Sequence, residues 1–161
     1  MVKVFHGSIL EVDSPLVALG RPNLDFGQGF YLTKLECQAR QWATRASRRK
    51  LVPAVINVYD FDEVAVKSSY RYCCFEHYDK AWLDFIVANR KGKMLWKNYD
   101  VVEGGIADDN VIDTVEDYIH GRMSAEAALI ELSKHQPNNQ ICILNQAIVD
   151  SCLHFVESYK L

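Results

Sequence analysis

The segment FGQGFYLT, residues 26–33, combines β-forming residues with two glycines and predicts a strand. Side chains alternate between the two faces of a strand. One face carries Phe26, Gln28, Phe30 and Leu32, and the other carries Gly27, Gly29, Tyr31 and Thr33. The second face lacks two side chains and then presents a ring, so it is a candidate platform for a planar ligand. A β-bulge, or a helix packed over the glycines, is the structural alternative.

Periodicity on both sides of this segment predicts an α+β chain. Further strands are expected at 2–7, 53–62, 98–105, 138–145 and 153–161, and helices at 34–50, 77–91, 108–120 and 124–135. The first helix is predicted to begin with a capping box formed by Thr33 and Glu36 and to end in the basic tail RASRRK. No repeat or linker divides the chain, so residues 1–161 are predicted to form one domain.

The composition excludes several classes of protein. The chain has 161 residues, 49% of them hydrophobic, with 18 basic and 21 acidic side chains and a net charge of -3. This balance argues against a large, non-specific grip on nucleic acid or on an anionic membrane. The mean hydropathy is -0.12, and no apolar run approaches the length of a membrane span.

The termini and cysteines predict a cytoplasmic protein. The opening MVKVFHGSILEV lacks the basic and apolar regions of a signal peptide. The five cysteines include one adjacent pair and form no zinc-knuckle spacing, so we expect reduced, mostly buried thiols and no metal site.

Two polar residues lie where strands begin or end. His6 ends the first predicted strand and is followed by Gly7 and Ser8; it is either a satisfied core or turn histidine or a neutral imidazole that bonds a ligand hydroxyl. Gln140 begins a late, apolar strand; its amide must bond either neighbouring backbone or a ligand.

The order of these features resembles the ADP-ribosyltransferase superfamily, in its diphtheria-toxin and poly(ADP-ribose)-polymerase branch with a His-Tyr-Glu triad. The resemblance rests on FHGS at 5–8, GQGFYLT at 27–33 and NNQICILN at 138–145. The chain is also similar, nearly end to end, to a bacterial family known mainly as a domain of unknown function within that superfamily. That similarity runs through RPNLDFGQGFYLT, AWLDFIVANRKG, YDVVEGGIADD and QPNNQICILN.

The resemblance implies a split β-sheet with flanking helices and a cleft that holds NAD+ as co-substrate. It implies that His6 bonds the nicotinamide-ribose hydroxyl and that the backbone of Gly7 pairs with the carboxamide, with Ser8 nearby. Tyr31, after Gly29, would stack on the nicotinamide ring.

The triad position held by glutamate in the family is Gln140 here. A glutamine can bond the ribose 2′-hydroxyl, but it has no charge to favour an oxocarbenium ion and cannot act as a base. NAD+ binding is therefore safer to predict than turnover, and mono-transfer safer than chain elongation. Asp109 is our candidate for a further catalytic acid; it and Asp108 could equally cap a helix, and Asp25 is similarly ambiguous.

Several basic and aromatic residues have two interpretations. Arg21 could reach the NAD+ pyrophosphate or could be a solvated loop residue. The cluster Arg45, Arg48, Arg49 and Lys50 is typical of a solvated helix end, or else contacts an acidic partner or a nucleic-acid acceptor. Trp42 and Trp82 are predicted to be core residues, and Trp96 to be a core residue or a stacking surface for a base.

The sequence thus predicts a cytoplasmic mono-ADP-ribosyltransferase, the toxin of a toxin–antitoxin pair, with a cognate antitoxin as partner. The acceptor stays open between protein, nucleic acid and small molecule. The alternatives are an NAD+ glycohydrolase and a non-catalytic module that binds NAD+ or ADP-ribose.

Overall fold

The described residues, 1–109 and 111–161 of a computed structural model, form an α+β fold with two sheets. The strands are β1 (Val2–Ser8), β2 (Phe30–Leu32), β3 (Val55–Phe61), β4 (Tyr72–Cys74), β5 (Val101–Gly104), β6 (Gln140–Ile143) and β7 (Leu153–Lys160). The helices are α1 (Glu36–Lys50), α2 (Glu63–Ser69), α3 (Lys80–Arg90), α4 (Ile112–Ile119), α5 (Ala125–Leu132) and α6 (Gln146–Cys152).

Among the described residues, one backbone bridge joins the two sheets, between Phe5 in β1 and Thr33 just after β2. One sheet has the order β1-β3-β7, and the other has the order β2-β6-β5-β4, in which only β4 and β5 are parallel. Phe5 and Thr33 exchange two backbone hydrogen bonds of 2.8 and 2.9 Å. Within residues 1–109 and 111–161, β1 and β2 form no further backbone pair, so these two strands separate beyond the bridge.

Three apolar clusters hold the layers together. The first fills the space between the sheets and includes Leu32, Tyr59 and Ile141. The second packs α3, α4 and α5 against the four-stranded sheet, with Trp82 at its centre. The third packs α1 on β3, and Gly7 lets α1 approach β1 because a Cβ there would overlap the Ala39 carbonyl oxygen.

The predicted strand over 26–33 is wrong in its first half, because only residues 30–32 pair with β6. Gly27 has a φ of 103°, a backbone conformation that turns the chain and that glycine adopts without strain. The predicted capping box is also wrong. The Thr33 hydroxyl accepts from the Leu35 N–H at 3.0 Å, and α1 begins at Glu36 without a side-chain cap.

The short elements α2, β4 and α6 were not predicted, and the helices expected at 77–91, 108–120 and 124–135 are shorter than the patterns indicate. Asn110, inside one of those predicted helices, lies outside the described residues. All five cysteines are free, but only Cys142 and Cys152 are buried, so the expectation of mostly buried thiols is wrong. None of the helices in 1–109 and 111–161 has the length and apolar character needed to cross a bilayer.

Candidate active site

A cleft of about 1130 Å³ opens where β1 and β2 separate. Its lining brings together six residues that the sequence singled out as ligand-binding candidates: His6, Gly7, Arg21, Gly29, Tyr31 and Gln140. These residues come from the first, second and sixth strands and from the loop before β2. Ser8 does not belong to this lining, and its hydroxyl accepts from the Leu10 N–H at 3.3 Å.

The imidazole of His6 occupies the place where the strands part. The register of the Phe5–Thr33 bridge would put Gly7 opposite Tyr31. Instead, the Nδ1 atom of His6 lies 2.8 Å from the Tyr31 carbonyl oxygen. Burial lowers the pKa of His6 below its ordinary value, so the ring is neutral near pH 7. A carbonyl only accepts, so Nδ1 carries the proton and Nε2 is left as an acceptor.

The main chain of Gly7 faces the cleft because the backbone N–H and C=O groups of a strand alternate between its two neighbours. The N–H and C=O of Phe5 point towards β2, and those of Gly7, two residues further, point the same way. β2 has diverged at that point, so the two groups face the cleft. The glycine itself is required by α1, as a Cβ would overlap the Ala39 backbone.

The face of residues 26–33 that carries Gly27 and Gly29 is not an open surface for a planar ligand. A Cβ at Gly27 would overlap the ring of Trp96, and one at Gly29 would overlap the Ile143 carbonyl oxygen and the Cys142 sulfur. Protein therefore covers both positions, although strand β6, and not the expected helix, lies over Gly29. The half-buried Tyr31 still lines the cleft, and its hydroxyl donates to the Gly27 carbonyl at 2.7 Å. Burial raises the pKa of this phenol, which stays a donor.

Gln140 lines the cleft with a side-chain amide that no described group engages in a hydrogen bond. Only 6% of the residue surface is exposed, but the amide is open to solvent, because no fully buried side-chain nitrogen or oxygen in the described chain lacks a partner. The two asparagines before it behave differently: Asn138 bonds Ile106 and Tyr78, and Asn139 bonds Lys34 and Glu103. The alternative that Gln140 bonds neighbouring backbone is therefore wrong, and its amide is available to a ligand in the cleft.

The carboxylates that could replace the absent glutamate are engaged elsewhere. Asp109 lies outside the cleft lining, has an 87% exposed side chain and pairs with Arg45 at 3.3 Å. Asp108 accepts from the Asn138 amide at 2.7 Å, and α4 begins only at Ile112. Asp25 does line the cleft, but Arg90 holds both of its oxygens, at 2.8 and 3.1 Å.

A family model described as "Protein of unknown function (DUF3990)" matches residues 2–155. The chain belongs to the DUF3990 family. No curated protein and no solved structure matches it. The family match spans every element of the fold up to the first three residues of β7, so it covers the whole cleft of this DUF3990 protein.

Three arginines of α1 form one side of the DUF3990 cleft, and sequence reasoning gave them a binding role only as the second interpretation. Arg45, Arg48 and Arg49 line it from α1, where the sequence favoured a solvated helix end. Their spacing of three and four residues, which places side chains on one helix face, was the available signal. Trp42, one turn earlier, also lines the cleft and belongs to none of the apolar clusters in the described chain, so its predicted core role is wrong. Trp96 packs half-buried against the second cluster, as the core alternative predicted.

Proposed function

We propose that this DUF3990 protein is a mono-ADP-ribosyltransferase that uses NAD+ as co-substrate, on an ADP-ribosyltransferase-like split sheet. The observation that carries the proposal is the meeting of His6, Tyr31 and Gln140, which are far apart in sequence, around one cleft. They occur along the chain in the same order as the His-Tyr-Glu triad of the superfamily that the sequence resembles. Gln140 supports a polar ligand independently of that resemblance, because its amide lines the cleft and has no hydrogen-bond partner among the described residues.

The nicotinamide riboside half of NAD+ suits the narrow end of the cleft. The N–H and C=O of Gly7 match the acceptor and donor of a carboxamide, and the ring of Tyr31 offers an aromatic face. The unprotonated Nε2 of His6 accepts from one ribose hydroxyl, and the amide of Gln140 bonds another. Arg21, in the cleft lining, is then the forked donor for the pyrophosphate.

The reaction breaks the bond between ribose C1′ and the nicotinamide nitrogen. Nicotinamide leaves as a neutral molecule with the bonding electrons, the acceptor nucleophile bonds C1′, and the acceptor loses one proton to solvent. Gln140 orients the ribose but adds no charge to stabilise the cationic ribose. The acceptor must therefore supply a strong nucleophile, which favours single transfers over chain elongation.

There are two alternatives, and the neutral Gln140 and the Arg90-bound Asp25 favour the second. The first is an NAD+ glycohydrolase, in which water is the acceptor. The second is a non-catalytic module that binds NAD+ or ADP-ribose. The cellular part of the proposal, a cytoplasmic toxin with a cognate antitoxin, rests on the sequence resemblance.

Incubation of a cell lysate with the protein and NAD+ labelled in its adenylate phosphate tests the reaction. We expect label in macromolecules, and we expect the His6→Ala variant to lose it. His154→Ala, which removes an exposed histidine from β7, is the matched control and should label normally.

Three other outcomes decide among the alternatives. Nicotinamide released without any macromolecule selects the glycohydrolase. Calorimetric NAD+ binding without turnover in lysate selects the binding module. Absence of NAD+ binding by the wild-type protein overturns the whole proposal.

A further inference from the structure

A second, smaller pocket of about 440 Å³ adjoins the cleft at the carboxyl end of α1. It is lined by Ile9, Arg21, Ala46, Arg49 and Lys50. Arg21, Ala46 and Arg49 also line the main cleft, so the two pockets share a wall. Three of the five lining residues are cationic, and none is acidic.

The arginines of this region differ from the others in the described chain. Arg40, Arg45, Arg71, Arg90 and Arg122 each form an ion pair with a carboxylate. The remaining arginines, Arg21, Arg48 and Arg49, have no carboxylate partner among residues 1–109 and 111–161, and all of them line the cleft. Lys50 is unpaired as well. The unpaired guanidinium groups are therefore gathered at one place instead of being scattered over the surface.

The charge gathered there exceeds what NAD+ needs. Each phosphate of a pyrophosphate carries one negative charge, so Arg21 and one neighbour are enough to match the co-substrate. The carboxyl end of α1 does attract cations through its dipole, which accounts for basic residues in its last turn. That effect does not explain Arg21, which comes from a loop and faces the same pocket.

We propose that the second pocket binds a phosphate group of a single-stranded nucleic acid, which is the acceptor substrate. The statement that the strand is the acceptor rests on the proposed function, whereas the binding of the strand does not. Forked guanidinium groups suit phosphate oxygens. Half-buried Trp42, on the same face of α1 and outside the apolar clusters, adds an aromatic surface beside the cations. A basic groove with an aromatic side chain is the arrangement by which proteins bind single strands with little sequence preference.

The test measures the binding of fluorescein-labelled, mixed-sequence single-stranded RNA and DNA by anisotropy, without NAD+, at several salt concentrations. The variant Lys50→Glu reverses the charge of the one cation that lines the second pocket and not the main cleft. The control Lys93→Glu makes the same charge change at an exposed, unpaired lysine that lines neither pocket. NAD+ affinity is measured on the same proteins by calorimetry.

We expect the wild type and the control to bind the strand and the pocket variant to lose at least tenfold in affinity while it keeps its NAD+ affinity. If both cations contact phosphates, wild-type binding should have a salt slope steeper by about 1.4 than that of Arg49→Ala/Lys50→Ala. No strand binding by the wild type, or equal loss in the control, overturns the inference and leaves NAD+ binding untouched. Loss of NAD+ affinity alone assigns the pocket to the co-substrate. The inference is also overturned if the lysate is labelled first and nuclease added afterwards releases none of the label, so that all of it is on protein.

Discussion

The Nδ1 atom of His6 lies 2.8 Å from the main-chain oxygen of Tyr31, across the gap where β1 and β2 stop pairing. That oxygen would have accepted a ladder hydrogen bond if the strands had continued together. The imidazole N–H donates to this oxygen instead. The same contact therefore ends the pairing of the two strands and fixes the proton of His6 on Nδ1. The cleft and the acceptor at Nε2 therefore have a common origin.

The neutral His6 gives NAD+ binding a distinctive pH dependence. Its pKa lies below the ordinary 6.5, so the ring stays neutral at pH values where an exposed histidine gains a proton. We expect calorimetric NAD+ affinity to be constant from about pH 8 down through 6.5. It should fall only in more acidic solution, when the protonated ring loses its acceptor and repels the cationic nicotinamide. A titration centred at or above 6.5 would contradict this role, and the His6→Asn variant should show no such transition.

The Gln140→Glu variant should turn over NAD+ faster than the wild type. A carboxylate at this position adds the negative charge that stabilises a cationic ribose, and we expect nicotinamide release to rise by about tenfold or more. Chromatographic assay of nicotinamide measures it. Gln136→Glu, an identical change at an exposed position four residues earlier, should leave the rate unchanged. If Gln140→Glu binds NAD+ normally but releases no more nicotinamide, the assignment of this triad position is wrong.

The Gly7→Ala variant should be destabilised, because its Cβ would overlap the Ala39 backbone of α1. We expect a loss of about 1–3 kcal/mol in the free energy of unfolding, measured in urea, as in other overpacked interiors. Ser8→Ala, the next residue of β1, adds no atoms and should cost less than about 0.5 kcal/mol. Equal stabilities for the two variants would show that α1 does not need the glycine.

The ion pair between Asp100 and Arg71 should give the fold an acid-sensitive component. Hydrogen bonds from Arg71, with help from Asn145, lower the pKa of Asp100 to about 2. A lowered carboxyl pKa stabilises the folded state above the unfolded value near 3.8, and that stability is lost as the pH falls towards 2. We expect Asp100→Asn to cost about 1–3 kcal/mol at pH 7 and to flatten stability between pH 4 and 2 in urea titrations.

Asp84→Asn is the matched control for that measurement. Asp84 pairs with Lys80 on the exposed side of α3, where both side chains are largely solvated. Such surface pairs contribute between about 0 and 1 kcal/mol. A cost for Asp100→Asn no larger than that of Asp84→Asn would contradict a special role for the half-buried pair.

Short elements show where sequence patterns stop being informative. The long helix α1 and the strands β1, β3 and β7 have enough turns or alternations for their periodicity to be read. α2, β4 and α6 have three to seven residues, too few to establish a period, and none of them was predicted. Gly27 and Gly29 were placed in a strand because alternation is a local rule, whereas the turn there depends on Trp96 and β6 packing over them.

The sequence by itself determined the α+β class and the candidates His6, Tyr31 and Gln140, because local spacing controls side-chain alternation and strand ends. Only the tertiary structure decided which of these candidates meet. Contacts between residues far apart, such as Phe5 with Thr33 and Gly7 with α1, open the cleft. The same contacts place the exposed α1 arginines along one side of the cleft and leave Asp109 outside its lining, paired with Arg45. No local pattern encodes those distances, since they depend on how the two sheets and α1 pack.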